Sequence, residues 1–322
     1  FDHVTLWPNR SGNGWGDAQV IGGTPAISNA AALEMVDLYG TGTAALVWSY
    51  DLGLQPGSNY YALDFTGGAK PYLLTEVDNH LGATTRVTYA SSTRFRMEDE
   101  AAGAPWITPL PLPVQVIEKV EVVDHVSRTR RVSRYRYHHG YFDGREREFR
   151  GFGRVDQVDT ETFEAFTGGD PWGEDAPPVS TERAYHVPSV LTKRWYHTGA
   201  YLEARALMDR YREEFWDGDA LAFDLSPHEA PSSAEAYRAL RGSLLRQEVY
   251  GLDGSEAAAY PYTVSESRYR IRTVQPAGDN PHAFVYALKL RRQSRVRVAP
   301  INPAHVEQRA EPLPLSLVAN GL

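Results

Sequence analysis

The sequence predicts a mainly β chain with a small α-helical insertion around residues 200–245. Three observations carry that reading. Nineteen tyrosines and seven tryptophans favour strands, where aromatic side chains pack well on a pleated surface. Strand-length apolar runs recur with glycine-rich turns between them. Apolar residues at helical spacing gather in one stretch, beyond residue 200.

The elements follow in order. Up to about residue 68, Val4–Trp7, Ala18–Ile21, Leu33–Asp37 and Ala44–Tyr50 are short strands separated by glycines such as Gly12, Gly22 and Gly40. Such a run suits a propeller blade or a sandwich edge. Tyr72–Val77, the turn Asp78–Gly82 and Thr84–Tyr89 make a strand, a turn and a strand. Four prolines between Ala101 and Pro113 mark an irregular crossing. Val114–Val126 and Thr129–His138 form a second long pair, with Arg128, Arg130, Arg134 and Arg136 on one face and Tyr135 and Tyr137 on the other. The Gly/Pro/acidic run Gly168–Pro178 is the candidate boundary. Beyond it, Ala204, Leu207, Tyr211 and Phe215 predict a helix closed by Gly218. Ser232 with Glu235 predicts a capping box for a second helix, whose apolar stripe is Tyr237, Leu240 and Leu244. Strands resume at Leu245–Tyr250, turn at Asp253-Gly254 and continue through Tyr262–Val274.

Composition narrows the function classes. The chain has 322 residues, 42% hydrophobic and 23% charged, which suits one large or two medium domains. No apolar run approaches the roughly 18 residues of a membrane-spanning helix, so membrane insertion by this chain is not expected. Absence of cysteine excludes disulfides, thiolate metal sites and a cysteine nucleophile. A net charge of −8 argues against general nucleic-acid binding. Because the chain starts at Phe1 without a leader, it is expected to be a piece of a longer polypeptide.

Four clusters invite chemistry. Asp37, Gly40 and Gly42 match part of a calcium loop of the form D-x-[DN]-G-x-G-x-x-D, but Tyr39, Thr41 and Ala45 stand where further ligands belong. A metal-free structural turn is the preferred reading. His138 and His139 are adjacent, so on a regular strand they point to opposite faces and do not share an ion. Packed, hydrogen-bonded histidines are preferred. Glu146 and Glu148 offer the paired carboxylates of glycosidases. They alternate with Arg145 and Arg147, after a tight turn at Phe142-Asp143-Gly144, and suggest cross-strand ion pairs on a continuing strand. Nine arginines between Arg128 and Arg154, interleaved with Tyr135, Tyr141, Phe149 and other aromatics, form an anion- or nucleic-acid-binding candidate. A solvated or partner-facing strand surface is preferred there. No nucleophile elbow and no phosphate loop in the required context is present.

Longer stretches, taken in order, resemble one family. VDLYGTGTAALVWSYD (Val36–Asp51), KPYLLTEVDNHLGATTRVTYASST (Lys70–Thr93), PWITPLPLPVQVIEKVEVVDHVS (Pro105–Ser127), YHHGYFDGREREFRGFGRVDQVDTE (Tyr137–Glu161), KRWYHTGAYLEARAL (Lys193–Leu207) and the stretch Leu240–Phe284 are similar to the middle region of the B component of tripartite Tc (ABC-type) insecticidal toxin complexes. That family includes the N-terminal region of SpvB virulence proteins. The resemblance implies partial β-propeller blades of FG-GAP type over residues 1–68, followed by a shell of spiralling antiparallel strands related to RHS/YD repeats. Residues 69–170 would be shell strands and 171–287 shell with the helical insertion, whereas 288–322 departs from the family's pattern and is expected to be an atypical, poorly packed tail. It implies no catalytic, cofactor-binding or metal-binding residue in this region. Its implied partners are the pore-forming A component and the C component, with which the B component encloses a cytotoxic effector. The complex would act outside the cell after assembly in the cytoplasm.

Overall fold

A computed structural model of the chain describes residues 3–25, 31–50, 60–159, 187–219, 226, 233–276, 278–279, 284–296 and 308–309. The expected boundary Gly168–Pro178 and the expected cap Ser232 lie outside these residues. The chain divides into two compact units, Phe1–Leu73 with Pro113–Gln115, and Leu74–Leu112 with Val116–Leu322.

In the first unit, β1 (His3–Leu6) pairs antiparallel with β2 (Gln19–Gly22). A second, three-stranded antiparallel sheet runs β3 (Ala31–Val36), β4 (Ala45–Tyr50), β5 (Tyr60–Leu63). Among the described side chains of this sheet, Ala45 and Trp48 on the middle strand are buried.

The second unit is built on one ten-stranded antiparallel sheet whose spatial order follows the sequence. Its strands are β6 (Glu76–Asp78), β7 (Ala83–Ser91), β8 (Gln115–Asp124), β9 (Thr129–Asp143), β10 (Glu148–Asp159), β11 (Ser189–His197), β12 (Ser243–Leu252), β13 (Thr263–Gln275), β14 (Phe284–Val296) and β15 (Gln308–Arg309). In such a meander, successive connections fall at opposite rims. The three α-helices among the described residues belong to connections at the same rim. α1 (Ser92–Ala101) joins β7 to β8, and α2 (Ala204–Glu214) and α3 (Ala234–Arg238) join β11 to β12.

Each helix has a local cause. The Ser91 hydroxyl accepts from the Thr93 N–H at 3.2 Å and starts α1. Sequence periodicity misses α1 because its buried residues include a carboxylate, Asp99, beside Phe95. α2 buries Leu207, Met208 and Tyr211 against Trp195 of β11 and Leu245 of β12. Full burial of such side chains stabilises by about 1.5–3 kcal/mol each. α3 starts one residue later than expected: the Ser233 hydroxyl accepts from the Ala236 N–H at 3.2 Å, and Glu235 sits in the first turn. Ala236 and Leu240 pack on Ile271 of β13, whereas Leu244 already belongs to β12.

Two expectations about strands are corrected. Arg145, Glu146 and Arg147 do not continue a strand. Asp143 Oδ1 accepts from the Arg145 and Glu146 N–H groups at 2.9 and 3.0 Å, which closes a turn, and β10 begins at Glu148. β14 runs straight through Leu288, where the chain is expected to turn irregular. It pairs with β13 from Gln275 opposite Phe284 to Thr263 opposite Val296, and alternation with a β-branched end suffices for a ladder. Gln308 and Arg309 pair with Arg295 and Ser294, and the rest of the expected tail lies outside the described residues.

One close approach ties helix to sheet. A Cβ at Gly153 of β10 would collide with the Tyr211 hydroxyl of α2 and come within 3.0 Å of the His139 Cβ. That hydroxyl donates to the Tyr196 carbonyl at 2.9 Å. Gly153→Ala is expected to destabilise the chain by about 1–3 kcal/mol through overpacking. The double variant with Tyr211→Phe should lose less than the two single changes together, read from urea midpoints; strict additivity would contradict this contact.

Candidate functional site

The covered face of the sheet is where the chemistry collects. Register places His138, Arg154, Trp195, Arg246 and Glu266 in one row across five strands, β9 to β13. The next row on that face is Arg136, Asp156, Lys193, Glu248 and Val264. α2 lies over the centre of these rows through Trp195.

Arg246 is the centre of the first cluster. Arg246, Glu248 and Glu266 are each 0% exposed. Arg246 Nε donates to Glu248 Oε1 at 2.7 Å, and Nη1 donates to Asp219 Oδ2 at 2.9 Å and Glu266 Oε1 at 2.5 Å. The Phe215 ring lies 4.5 Å from the guanidinium carbon. Glu248 also accepts from the Trp216 N–H at 3.0 Å and from the Tyr250 hydroxyl at 2.5 Å. Burial disfavours the charged guanidinium, but the surrounding carboxylates outweigh it and raise its pKa. Burial, then Glu248, pushes the Tyr250 phenol up.

The second cluster is a chain of ion pairs. Asp99 Oδ2 lies 2.6 Å from His138 Nδ1, and Asp99 also accepts from Trp106 Nε1 at 2.7 Å and Arg136 Nη2 at 2.9 Å. His138 Nε2 faces Asp156 at 3.6 Å. Asp156 accepts from Arg154 Nε and Nη2 at 2.8 and 2.6 Å. Arg154 faces Glu214 of α2 at 3.4 Å, and Glu214 bonds His139 Nε2 at 2.7 Å and accepts from Trp195 Nε1 at 2.9 Å. Burial alone would raise the Asp99 carboxyl, yet His138, Arg136 and Trp106 bring it down to about 2. The same opposition, won by His138 and Arg154, holds Asp156 well below the usual carboxylate range. Burial would depress His138, but Asp156 and Asp99 raise it.

Every carboxylate in these clusters faces a cation or a donor. That arrangement locks charge in place and leaves no carboxylic acid kept neutral by an apolar pocket, as general acid catalysis requires. Sequence reasoning placed His138 and His139 correctly as hydrogen-bonded residues, with separate partners, and His139 takes a positive φ of 54°. Asp37 closes its own turn: its two oxygens accept from the Thr41 and Gly42 N–H groups at 2.9 and 2.8 Å. Among the described residues no group of three or more acidic or histidine side chains is arranged to hold a metal. Glu146 faces Arg238 at 3.8 Å, and Glu148 pairs with Arg150 at 3.3 Å, Arg238 at 3.5 Å and Arg241. Their ion pairs therefore run mainly to α3 and the turn after it, and not across strands. Of the arginine run, Arg136, Arg150 and Arg154 are spent on internal acids. Sequence reading missed Arg246, Glu248 and Glu266. The signal was an Arg-x-Glu at strand spacing flanked by apolar residues, inside a run read as an ordinary strand.

The comparisons with known proteins agree on identity. A family model described as the insecticide toxin TcdB middle/N-terminal region matches residues 15–169, and one for the middle/C-terminal region matches residues 235–296. The chain belongs to the insecticide toxin TcdB family, the B components of Tc toxins. A crystal structure of TcdB2-TccC3-Cdc42 is similar to this Tc chain, with 29% identity and a TM-score of 0.73. A crystal structure of TcdB2-TccC3-TEV gives 30% and 0.71, and a mutant Tc holotoxin pore of Photorhabdus luminescens gives 30% and 0.70. Each match covers 92% of this chain and 14% of the solved chain. No curated protein matches the sequence. The mainly β architecture with few helices is that of the matched part of the Tc B component.

Arg246→Met is expected to cost about 3–5 kcal/mol, because Glu248 and Glu266 would remain buried without their cation. Adding Glu248→Gln and Glu266→Gln should recover part of that loss in urea titrations; no recovery would mean that Arg246 acts through packing alone.

Stability should also depend on pH in two limbs. Asp99 and Asp156 titrate below their ordinary 3.8, so their contribution is complete above that value and fades as the pH falls through the folded values, about 2 for Asp99. His138 titrates above its ordinary 6.5, so its contribution is complete below 6.5 and fades as the pH rises through the folded value. His138→Gln should flatten the upper limb in denaturation midpoints and leave much of the acid limb; an unchanged upper limb would contradict the assignment.

Proposed function

We infer that this chain is a non-catalytic wall segment of a Tc toxin B component, which with a C component encloses a cytotoxic effector. One observation carries the reading. The chain, whose second unit is a ten-stranded sequential sheet with internally paired charge on its covered face, is similar to TcdB2-TccC3-Cdc42 over 92% of its length at a TM-score of 0.73 with 29% identity. A sheet in which neighbouring strands are neighbours in sequence extends by adding hairpins, as an enclosing wall must. The second unit supplies shell strands, and the first unit supplies part of an FG-GAP-type propeller that docks on the pore-forming A component and gates release. The complex works outside the producing cell, and this segment inserts in no membrane.

A glycan-processing role for Glu146 and Glu148 lacks comparable support, since arginines engage both carboxylates. A nucleic-acid role for the Arg128–Arg154 run is weakened in the same way, by Arg136, Arg150 and Arg154 being paired to internal acids.

The reading is tested in a full-length B component that carries this segment, assembled with a C component. The effector is expected to resist added protease, and Trp195→Asp, which places a charge under α2, should restore cleavage. Digestion in the unaltered complex as fast as that of the free effector would overturn the wall assignment.

A further inference from the structure

His197 ends β11, is 1% exposed and stands apart from both charge clusters. Its ring fixes the turn that leads to α2. Nδ1 accepts from the Gly199 N–H at 2.9 Å, so the neutral ring carries its hydrogen on Nε2. The same turn is fastened on three further sides. The Gly199 carbonyl accepts from Arg150 Nη1 of β10 at 3.0 Å. The His197 carbonyl accepts from the Gly242 N–H, just before β12, at 2.9 Å. Gly199 takes φ +77° and lies against α3: a Cβ there would come within 3.2 Å of Arg238 Cα and of the Tyr237 carbonyl oxygen. The Tyr237 ring lies 5.7 Å from the imidazole. The seating of α3 thus depends on one acceptor lone pair.

Protonation removes that lone pair. A second proton can enter the ring only at Nδ1, where it would meet the Gly199 N–H donor to donor across 2.9 Å. The hydrogen bond is lost, and Gly199 has no room to shift toward α3. The surroundings offer a buried cation little compensation. β10 presents Arg150, which Asp143 and Glu148 engage at 3.0 and 3.3 Å. α3 and the turn after it present Tyr237, Arg238 and Arg241, and both arginines pair with Glu148. The connection to α2 presents Tyr201 and Glu203, and β12 presents Ser243 opposite His197. Asp143 and Glu148 are therefore already matched by three arginines. Burial pushes the His197 pKa down to about 4.

We propose that His197 is an acid-sensitive latch, which seats α3 on β11 while neutral and releases it when a proton from solvent takes Nδ1. The latch goes beyond the wall reading and does not rest on it. The folded value of His197 lies below the ordinary 6.5, so the latch is at full strength above 6.5 and weakens as the pH falls from 6.5 toward the folded value. Asp99, Asp143, Asp156 and Glu214 are held below their usual range and keep their charge through the upper part of that window. The contribution of His138 is already complete below 6.5.

The test is hydrogen exchange of the 322-residue chain, read as protection factors at pH 6.5 and at about pH 5. Peptides over residues 197–203 and 234–242 should lose protection by roughly tenfold or more at the lower pH. α2, sealed against Trp195 and Leu245, should keep its own. His197→Asn supplies an oxygen that accepts the N–H two residues on and takes up no proton in this range. It should keep both segments protected at either pH. Equal loss in His197→Asn and in the unaltered chain overturns the latch. So does constant protection in the unaltered chain, or a loss there that spreads evenly to α2, and these two outcomes decide the matter even where the variant folds poorly.

Discussion

The structure turns on the burial of Arg246. A guanidinium taken wholly out of water costs several kcal/mol unless its surroundings replace hydration. β12 supplies Glu248, β13 supplies Glu266, and the stretch after α2 supplies Asp219 and the Phe215 ring. None of these groups suffices alone. The insertion between β11 and β12 must therefore fold back over the sheet for the central strands to be tolerable at all. Glu214 makes the same demand from the other side, because it meets His139, Arg154 and Trp195 from three strands at once. Sheet and helix are in this sense a single polar structure with an apolar seal of Leu207, Met208 and Tyr211.

This constraint sorts the two faces. α2 folds onto one face of the central strands, and that face buries charge. On the opposite face, the described polar residues of β10–β12 include Gln157, Asp159, Arg194 and Gln247, which bond to one another. The candidate acids and histidines share one feature: Asp37, His138, His139 and Glu148 are each engaged by a partner within the chain.

Much of the fold was legible because strand alternation and glycine turns are local signals. The hairpin at Asp143, the helix through Leu207 and Tyr211 and most strands follow from them. What escaped did so for physical reasons. α1 hides a carboxylate where periodicity looks for an apolar side chain, and Asp99 is intelligible only once Arg136, His138 and Trp106 surround it. β14 resembled a basic tail because arginine is read as a solvent residue, whereas its strand character comes from the ladder with β13. The buried arginine and glutamates were invisible for the same reason. Hydropathy treats each charge singly, and their burial is a property of the cluster.

Charge also does something here that hydrocarbon cannot. In a long meander, a slip of one residue moves every side chain to the other face, and similar apolar rows would tolerate competing registers. Arg154 beside Asp156 on β10, set between His138 on β9 and Glu214 on α2, permits no such slip without leaving charges buried and unpaired. Bulges reinforce the constraint: register shifts between Phe149 and Phe152, where Gly151 takes φ +93°, and again after Trp195. Each shift adds a residue at the helix-bearing rim, and the second lets Leu245 join Trp195 in the apolar seal beside Arg246. Ion pairs and bulges together select one alignment of the strands, and that alignment also delivers Arg194, between Gln157 and Gln247, to the open side.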